Sequence, residues 1–239
     1  MRDRTSRIAH AMQWLLAPAA LACSHGTPTA NYDPKLDAAS FVAGVTNPLF
    51  PLVPGTVLRY DGQAESGAEV DSIVVTSDAK TILGIRSVVV RDRSHVNGAL
   101  EEETLDWYAQ DRDGNVWYLG EDSKQYEHGV VVSTDGSWEA GKAGAKAGII
   151  MKGSPKAGDA YRQEYSKGIA EDRASVLGID EAVTVPYGAF THCVLTEDWS
   201  ALEDDVREHK YYCPGVGVVR ELTVRGGSEH LELTSVSHP

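Results

Sequence analysis

With 239 residues, 42% of them hydrophobic, the chain can bury one sizeable core and does not require two domains. A formal net charge of −13 opposes nonspecific binding to nucleic acid and to anionic lipid surfaces, and no basic run offsets it locally, so no nucleic-acid partner is expected. The 23 glycines lie mostly between short apolar runs, which favours many turns and short strands.

Met1–Ala22 has the features of an export signal. Arg2, Arg4 and Arg7 form a positive start, Ala11–Leu21 is a short apolar stretch, and Ala20-Leu21-Ala22 supplies small residues near a cut. The stretch is too short to span a bilayer as a stable helix. An amphipathic N-terminal helix is the alternative. Ala20-Leu21-Ala22-Cys23 resembles a bacterial lipobox, in which Cys23 becomes the lipidated first residue. The usual Leu three positions before the Cys is here Ala20, so lipidation and simple secretion both stay open. A lipid at Cys23 would be the sole membrane attachment. The expected location is outside the cytoplasm: periplasmic, on the outer envelope, or extracellular. Residues 23–44 are small and polar, with Pro28 and Pro34, and read as a tether or flexible arm. Residues 45–239 read as a single β domain.

Pro48, Pro51 and Pro54 argue against a central strand over Val45–Val53. Thr56–Tyr60 is the first clear strand, and Asp71–Ser77 the next. Thr81–Arg91 reads as one longer strand with Gly84 as a bulge, and its Val88-Val89-Val90 suggests cover on both faces. Asn97-Gly98 and Asp113-Gly114 are hairpin turns between strand-forming runs. The second of these joins Leu105–Gln110 to Val116–Leu119, a hairpin carrying Trp107, Tyr108, Trp117 and Tyr118. Ala140–Gly158, rich in Gly, Ala and Lys, reads as a long loop with Ile149–Met151 dipping into the core. Ala160–Tyr165, Ala170–Gly178 and Val183–Val185 read as strands, with a turn at Asp180-Glu181. Cys193–Trp199, Val206–Cys213, Val216–Val224 and His230–Val236 complete an antiparallel meander with few short helices, forming a closed or half-closed barrel.

If Ala201–Asp205 is the turn of the Cys193–Cys213 hairpin, Cys193 stands directly opposite Cys213 and Glu197 opposite His209. Opposed cysteines of an antiparallel pair can form a disulfide, and export permits it. Two free buried thiols are the alternative.

Three segments carry a family resemblance: Pro51-Leu52-Val53-Pro54-Gly55 leading to Tyr60, Val185-Pro186-Tyr187-Gly188-Ala189-Phe190, and Tyr211-Tyr212-Cys213-Pro214-Gly215-Val216-Gly217-Val218-Val219. Together they resemble exported bacterial β-rich proteins of unknown function, similar to periplasmic and lipoprotein half-barrels of the lipoprotein-carrier-like kind. The resemblance spans roughly Asn47–Val236 and speaks to fold; it names no catalytic residue.

Candidate chemistry is sparse. Asp111, Asp113 and Asn115 offer alternating oxygen ligands, but Gly114 and Asp122 do not fit the calcium-loop positions, so neither metal nor cofactor is assigned. Glu101-Glu102-Glu103 reads as a solvated strand edge. Glu164, Tyr165, Glu171 and Asp172 could supply acid/base groups if the protein is a secreted hydrolase or lyase. Trp107, Trp117, Tyr118, Trp138 and Tyr161 could line a concavity for an apolar or aromatic ligand, a hydrophobic small molecule or a lipid. A binding protein of the envelope is the favoured reading, ahead of the enzyme and of a structural surface module.

Overall fold

The computed structural model describes residues 32–238; the signal-like segment 1–22 and Cys23 lie outside the described residues. Five long strands form the first meander: β1 (Val57–Ala64), β2 (Gly67–Ile82), β3 (Ile85–Val96), β4 (Ala99–Gln110) and β5 (Val116–Glu127). Short strands follow: β6 (Val130–Ser133), β7 (Trp138–Glu139), β8 (Lys146–Met151), β9 (Ala160–Arg162) and β10 (Glu164–Tyr165). The second meander is β11 (Asp172–Val185), β12 (Gly188–Ser200), β13 (Arg207–Cys213), β14 (Gly217–Arg225) and β15 (His230–Ser237). All pairings are antiparallel, and β15 pairs with β1 to join the two meanders.

The turns follow local chemistry. Asn97 and Gly98 have φ of 51° and 83°, the double positive pair whose twist suits a two-residue hairpin. Leu83 and Gly84 do the same at 51° and 78°. This corrects the single strand expected over Thr81–Arg91: the chain reverses at Leu83-Gly84, and Ile82 pairs with Ile85. The expected turn at Asp180-Glu181 is instead a set of register shifts within a continuous β11. The expected loop over Ala140–Gly158 contains β8, which pairs with β5 and leaves Met151 fully buried. Glu101-Glu102-Glu103 is not at an edge, because β4 lies between β3 and β5.

The barrel closes through residues 160–165. There β9 pairs with β11 while β10, one residue further on, pairs with β8. Gln163 sits between them; its N–H donates to Asp172 O at 2.9 Å and its Nε2 to Asp198 Oδ2 at 3.0 Å. From Gly178 onward β11 pairs only with β12, so closure is confined to this seam. One end of the barrel is plugged by residues 45–52, where prolines forbid a ladder. The Gln110 carbonyl oxygen Oε1 accepts from the backbone N–H of Thr46 and of Asn47, both at 2.7 Å, and anchors the plug to β4.

The hairpin register places Val194 opposite Tyr212 and Glu197 opposite His209. Cys193 and Cys213 form a disulfide with Cα atoms 4.3 Å apart, the outcome expected from the position of the turn. From Tyr32 onward the stretch read as an arm lies on the outside of the barrel: Tyr32 Oη donates to Ala147 O at 2.8 Å, and Val42 N–H to Gln110 O at 2.9 Å.

Candidate functional site

A cavity of about 470 Å³ occupies the barrel. Its wall is set by alternation along the strands. On β4, Glu102, Thr104, Asp106 and Tyr108 face inward, while Leu105, Trp107 and Ala109 pack in the outer apolar cluster. On β5 a bulge changes the parity. Asp106 opposes Glu121 and Tyr108 opposes Tyr118, so two β5 residues, Leu119 and Gly120, stand against one β4 residue. The extra residue lets both Tyr118 and Glu121 face the cavity. Gly120 is required there: its φ is 135°, and a Cβ would lie 2.3 Å from Trp138 O.

The floor of the cavity is aromatic. Phe50 from the plug meets Tyr108 edge-on at 5.1 Å, Tyr108 stacks on Tyr118 at 4.8 Å, and Tyr212 completes the floor. Above it the wall is acidic. Among the described residues fourteen acidic side chains and two basic ones, Lys210 and His230, line the cavity, and Glu69, Asp71, Asp92, Glu101, Glu102 and Asp106 all have interaction partners. Glu65, Glu101, Glu127 and Glu229 rim the mouth, at the end opposite the plug.

The densest acidic group lies at the seam. Tyr118 Oη donates to Asp106 Oδ1 at 2.6 Å, and Trp138 Nε1 donates to Glu164 Oε2 at 2.9 Å. The Glu164 and Asp172 carboxyls are near enough to share a hydrogen bond. Burial, then the neighbouring Asp172, pushes the Glu164 carboxyl far above the ordinary range. Glu121 is raised likewise by burial, with Glu164 and Asp106 adding repulsion. Asp172 is raised to about 7 and Glu208 to about 8, both mainly by burial. Lys210 lies 3.3 Å from Glu221, 3.9 Å from Glu208 and 4.0 Å from Asp198. Burial alone would lower its pKa, but these three carboxylates outweigh burial and raise it well above 10.5. No protein donor reaches Glu121 Oε1 or Glu164 Oε1, although both residues are almost fully buried.

The structure brings together Glu164 and Asp172 of the four acid/base candidates. Tyr165 stands outside the cavity against Tyr32 and Arg162, and Glu171 accepts from Gly168 N–H. Of the five aromatic candidates, Tyr118 lines the cavity. Trp107 packs on the outer face under Lys80, whose Nζ lies 3.0 Å from the ring centre. Trp117 is also outside, its Nε1 donating to Asp111 Oδ2 at 2.8 Å, and Phe41 packs on its ring. Trp138 backs the seam from behind Glu164. Tyr161 packs against the inner core, with its hydroxyl buried and without a partner. The five therefore do not form one concavity. Asp111 accepts from Asn115 N–H, Asn115 Nδ2 and Trp117 Nε1, which makes it the keystone of the turn.

Asp106, Glu121, Glu208 and Lys210 were not singled out by the sequence reading. The signal was present as parity: Glu102, Thr104 and Asp106 alternate with Leu105, Trp107 and Ala109.

No family model matches the sequence, and no curated protein matches it. Two crystal structures share a partial likeness. One is of a protein described as exported, with a YmcC-like fold, from Bacteroides fragilis, at 15% identity and a TM-score of 0.46, covering 79% of this chain and 98% of that one. The other is described as a lipoprotein from Parabacteroides distasonis, at 14% identity and a TM-score of 0.43, covering 79% and 98%.

Proposed function

We propose that the protein is an exported binding protein of the cell envelope, with no catalysis assigned, whose barrel holds a small organic cation bearing an apolar or aromatic part. The observation that carries this is the deep seam of the cavity, where Glu121 and Glu164 are almost fully buried beside the stacked Tyr108 and Tyr118, each with one oxygen that no protein donor reaches. Buried carboxylates are costly unless a cation or proton matches them. Lys210 already matches Glu208, Asp198 and Glu221 on one side. A ligand cation would match Glu121 and Glu164 across the cavity, with Tyr108 and Tyr118 offering ring faces to it. A wholly apolar ligand, or a lipid tail, would leave those two oxygens without a donor. Among the described residues no three His, Cys, Asp or Glu side chains converge as metal ligands, and carboxylates spread around a wall suit an extended cation better than a point ion. Export is supported by the signal-like pattern of Met1–Ala22 and by the Cys193–Cys213 disulfide, which suits an oxidising compartment.

The enzyme reading is the weaker one. Glu164 and Asp172 are hydrogen-bonded, whereas the carboxylates of glycoside hydrolases stand about 5–9.5 Å apart. Isothermal titration calorimetry of the full chain with benzylamine and benzyl alcohol tests the proposal, because the two differ in charge at similar shape. Benzylamine should bind about tenfold tighter, as one charge-assisted contact of ~1.5 kcal/mol gives. Equal affinity for both would sink the cation reading.

A further inference from the structure

Two buried acceptors at the seam bear on the shape of the cation's head. Glu121 and Glu164 are 3% and 2% exposed, line the cavity, and each keeps one oxygen, Oε1, that no protein donor reaches. Trp138 ties the two together: its backbone pairs with that of Glu121, and its indole Nε1 donates to Glu164 Oε2 at 2.9 Å. Burial first, and then Glu164, holds the Glu121 carboxyl up, which marks the two as close neighbours.

The donors around them are committed. Tyr118 Oη donates to Asp106 Oδ1 at 2.6 Å, and Gln163 Nε2 to Asp198 Oδ2 at 3.0 Å. Lys210 lies among Glu221, Glu208 and Asp198. A donor for the two oxygens therefore comes from whatever enters. One group has to serve oxygens on two different side chains, so it needs at least two N–H bonds directed the same way. It also has to shed its water to reach carboxyls this deeply buried. That costs a compact, strongly hydrated ammonium more than a planar, delocalised cation. Tyr108 and Tyr118 line the same deep part of the cavity, stacked with 20° between their planes, and planar cations pack well on aromatic rings.

Resting on the reading of the barrel as a cation-binding cavity, we propose that the cationic head of its ligand is a planar amidinium or guanidinium. Its fork of N–H bonds donates to Glu121 Oε1 and Glu164 Oε1 together, and its apolar part lies over the aromatic floor. Binding is noncovalent, and no bond is made or broken.

The full chain is titrated calorimetrically with benzamidine, benzylamine and benzyltrimethylammonium at pH 8, where Asp172 is largely ionised. The three share a phenyl ring and one positive charge, but carry a planar fork, a tetrahedral ammonium and no N–H at all. Benzamidine should bind at least about tenfold tighter than benzylamine, and benzyltrimethylammonium at least about tenfold weaker than benzylamine. In Glu164→Gln the Trp138 indole keeps the amide oxygen, so the NH2 stands where Oε1 was and meets the fork donor to donor. The preference for benzamidine over benzylamine should vanish in that variant. If benzylamine or benzyltrimethylammonium binds the native chain as tightly as benzamidine, the planar-head proposal fails while the cation reading stands on benzylamine against benzyl alcohol. If none of the three binds, both fail. A preference retained in folded Glu164→Gln would place the fork away from the seam and also overturn the proposal. The ligand series on the native chain decides the question even if the variant does not fold.

Discussion

Burial holds the Asp172 carboxyl at about 7 and that of Glu208 at about 8, against ordinary values of 3.8 and 4.5. The native protein therefore keeps protons that the unfolded chain has already released. Their stabilising contribution is complete below about pH 4 and is lost as pH rises through 7 and 8. Over that window each group makes the unfolding free energy fall by about 1.4 kcal/mol per pH unit. The groups facing Asp172 are Glu164, Asp198, Ser200 and Lys210; those facing Glu208 are Lys210, Glu221, Asp198 and Asp172. Urea unfolding should therefore give a lower stability at pH 8 than at pH 5, and Asp172→Asn should flatten the slope. A slope unchanged by that substitution would show that Asp172 is ionised in the native state. Lys210 works the other way, because it favours the charged form of both acids. Lys210→Met should cost about 3 kcal/mol at pH 8, where Glu208, Asp198 and Glu221 lose their shared cation, and clearly less at pH 5.

At the level of elements, closure of the barrel depends on how near β8 comes to the segment 160–165. A Cβ on Gly148 would lie 2.3 Å from the carbonyl of Gln163 and 2.6 Å from Arg162 O, so only glycine permits this approach. Gly148→Ala should destabilise the protein by at least about 2 kcal/mol. Hydrogen exchange should show protection lost first in 160–165 and β8, with β1 to β4 retaining theirs. Uniform loss across the sheet would mean that the seam is not a separate closing step. The strands and the Asn97-Gly98 and Asp113-Gly114 turns were legible in the sequence, because turn chemistry is local. The disulfide was legible because one turn position fixes the whole β12–β13 register. Gly84 was read as a bulge, and the turn at Leu83-Gly84 was not legible because Leu seldom takes the φ of 51° that the hairpin imposes here. The site was less legible. Alternation along β4 defines two faces without saying which is concave. Trp107 was assigned to the concavity as an aromatic, yet it packs in the outer cluster with Trp138, Ala140 and Ala145. The acids of eight separate strands meet only in three dimensions.

At the scale of the whole molecule the barrel is apolar on one outer wall and acidic within, plugged at one end and closed by a single short segment. The buried acids of its seam repel one another, and protons relieve that repulsion. An organic cation bound as proposed would compete with those protons, which couples its binding to pH in a definite direction. At pH 8 Asp172 is largely ionised and gives the seam a negative charge for the cation beside Glu121 and Glu164, which burial keeps protonated. At pH 5, two units below its pKa of about 7, displacing one proton weakens binding about a hundredfold. The unliganded protein loses stability between pH 5 and pH 8, while the stabilisation conferred by a fixed benzylamine concentration grows over the same interval. At a hundred times the dissociation constant that stabilisation is about 2.7 kcal/mol, and it shrinks to under ~1 kcal/mol when affinity falls a hundredfold. Thermal unfolding with and without benzylamine at the two pH values measures both trends together. Opposite slopes place the cation against the protonated carboxylates of the seam. A ligand-induced shift equal at pH 5 and pH 8 would place it away from Asp172 and Glu208, which release their protons over this range while a benzylammonium keeps its own.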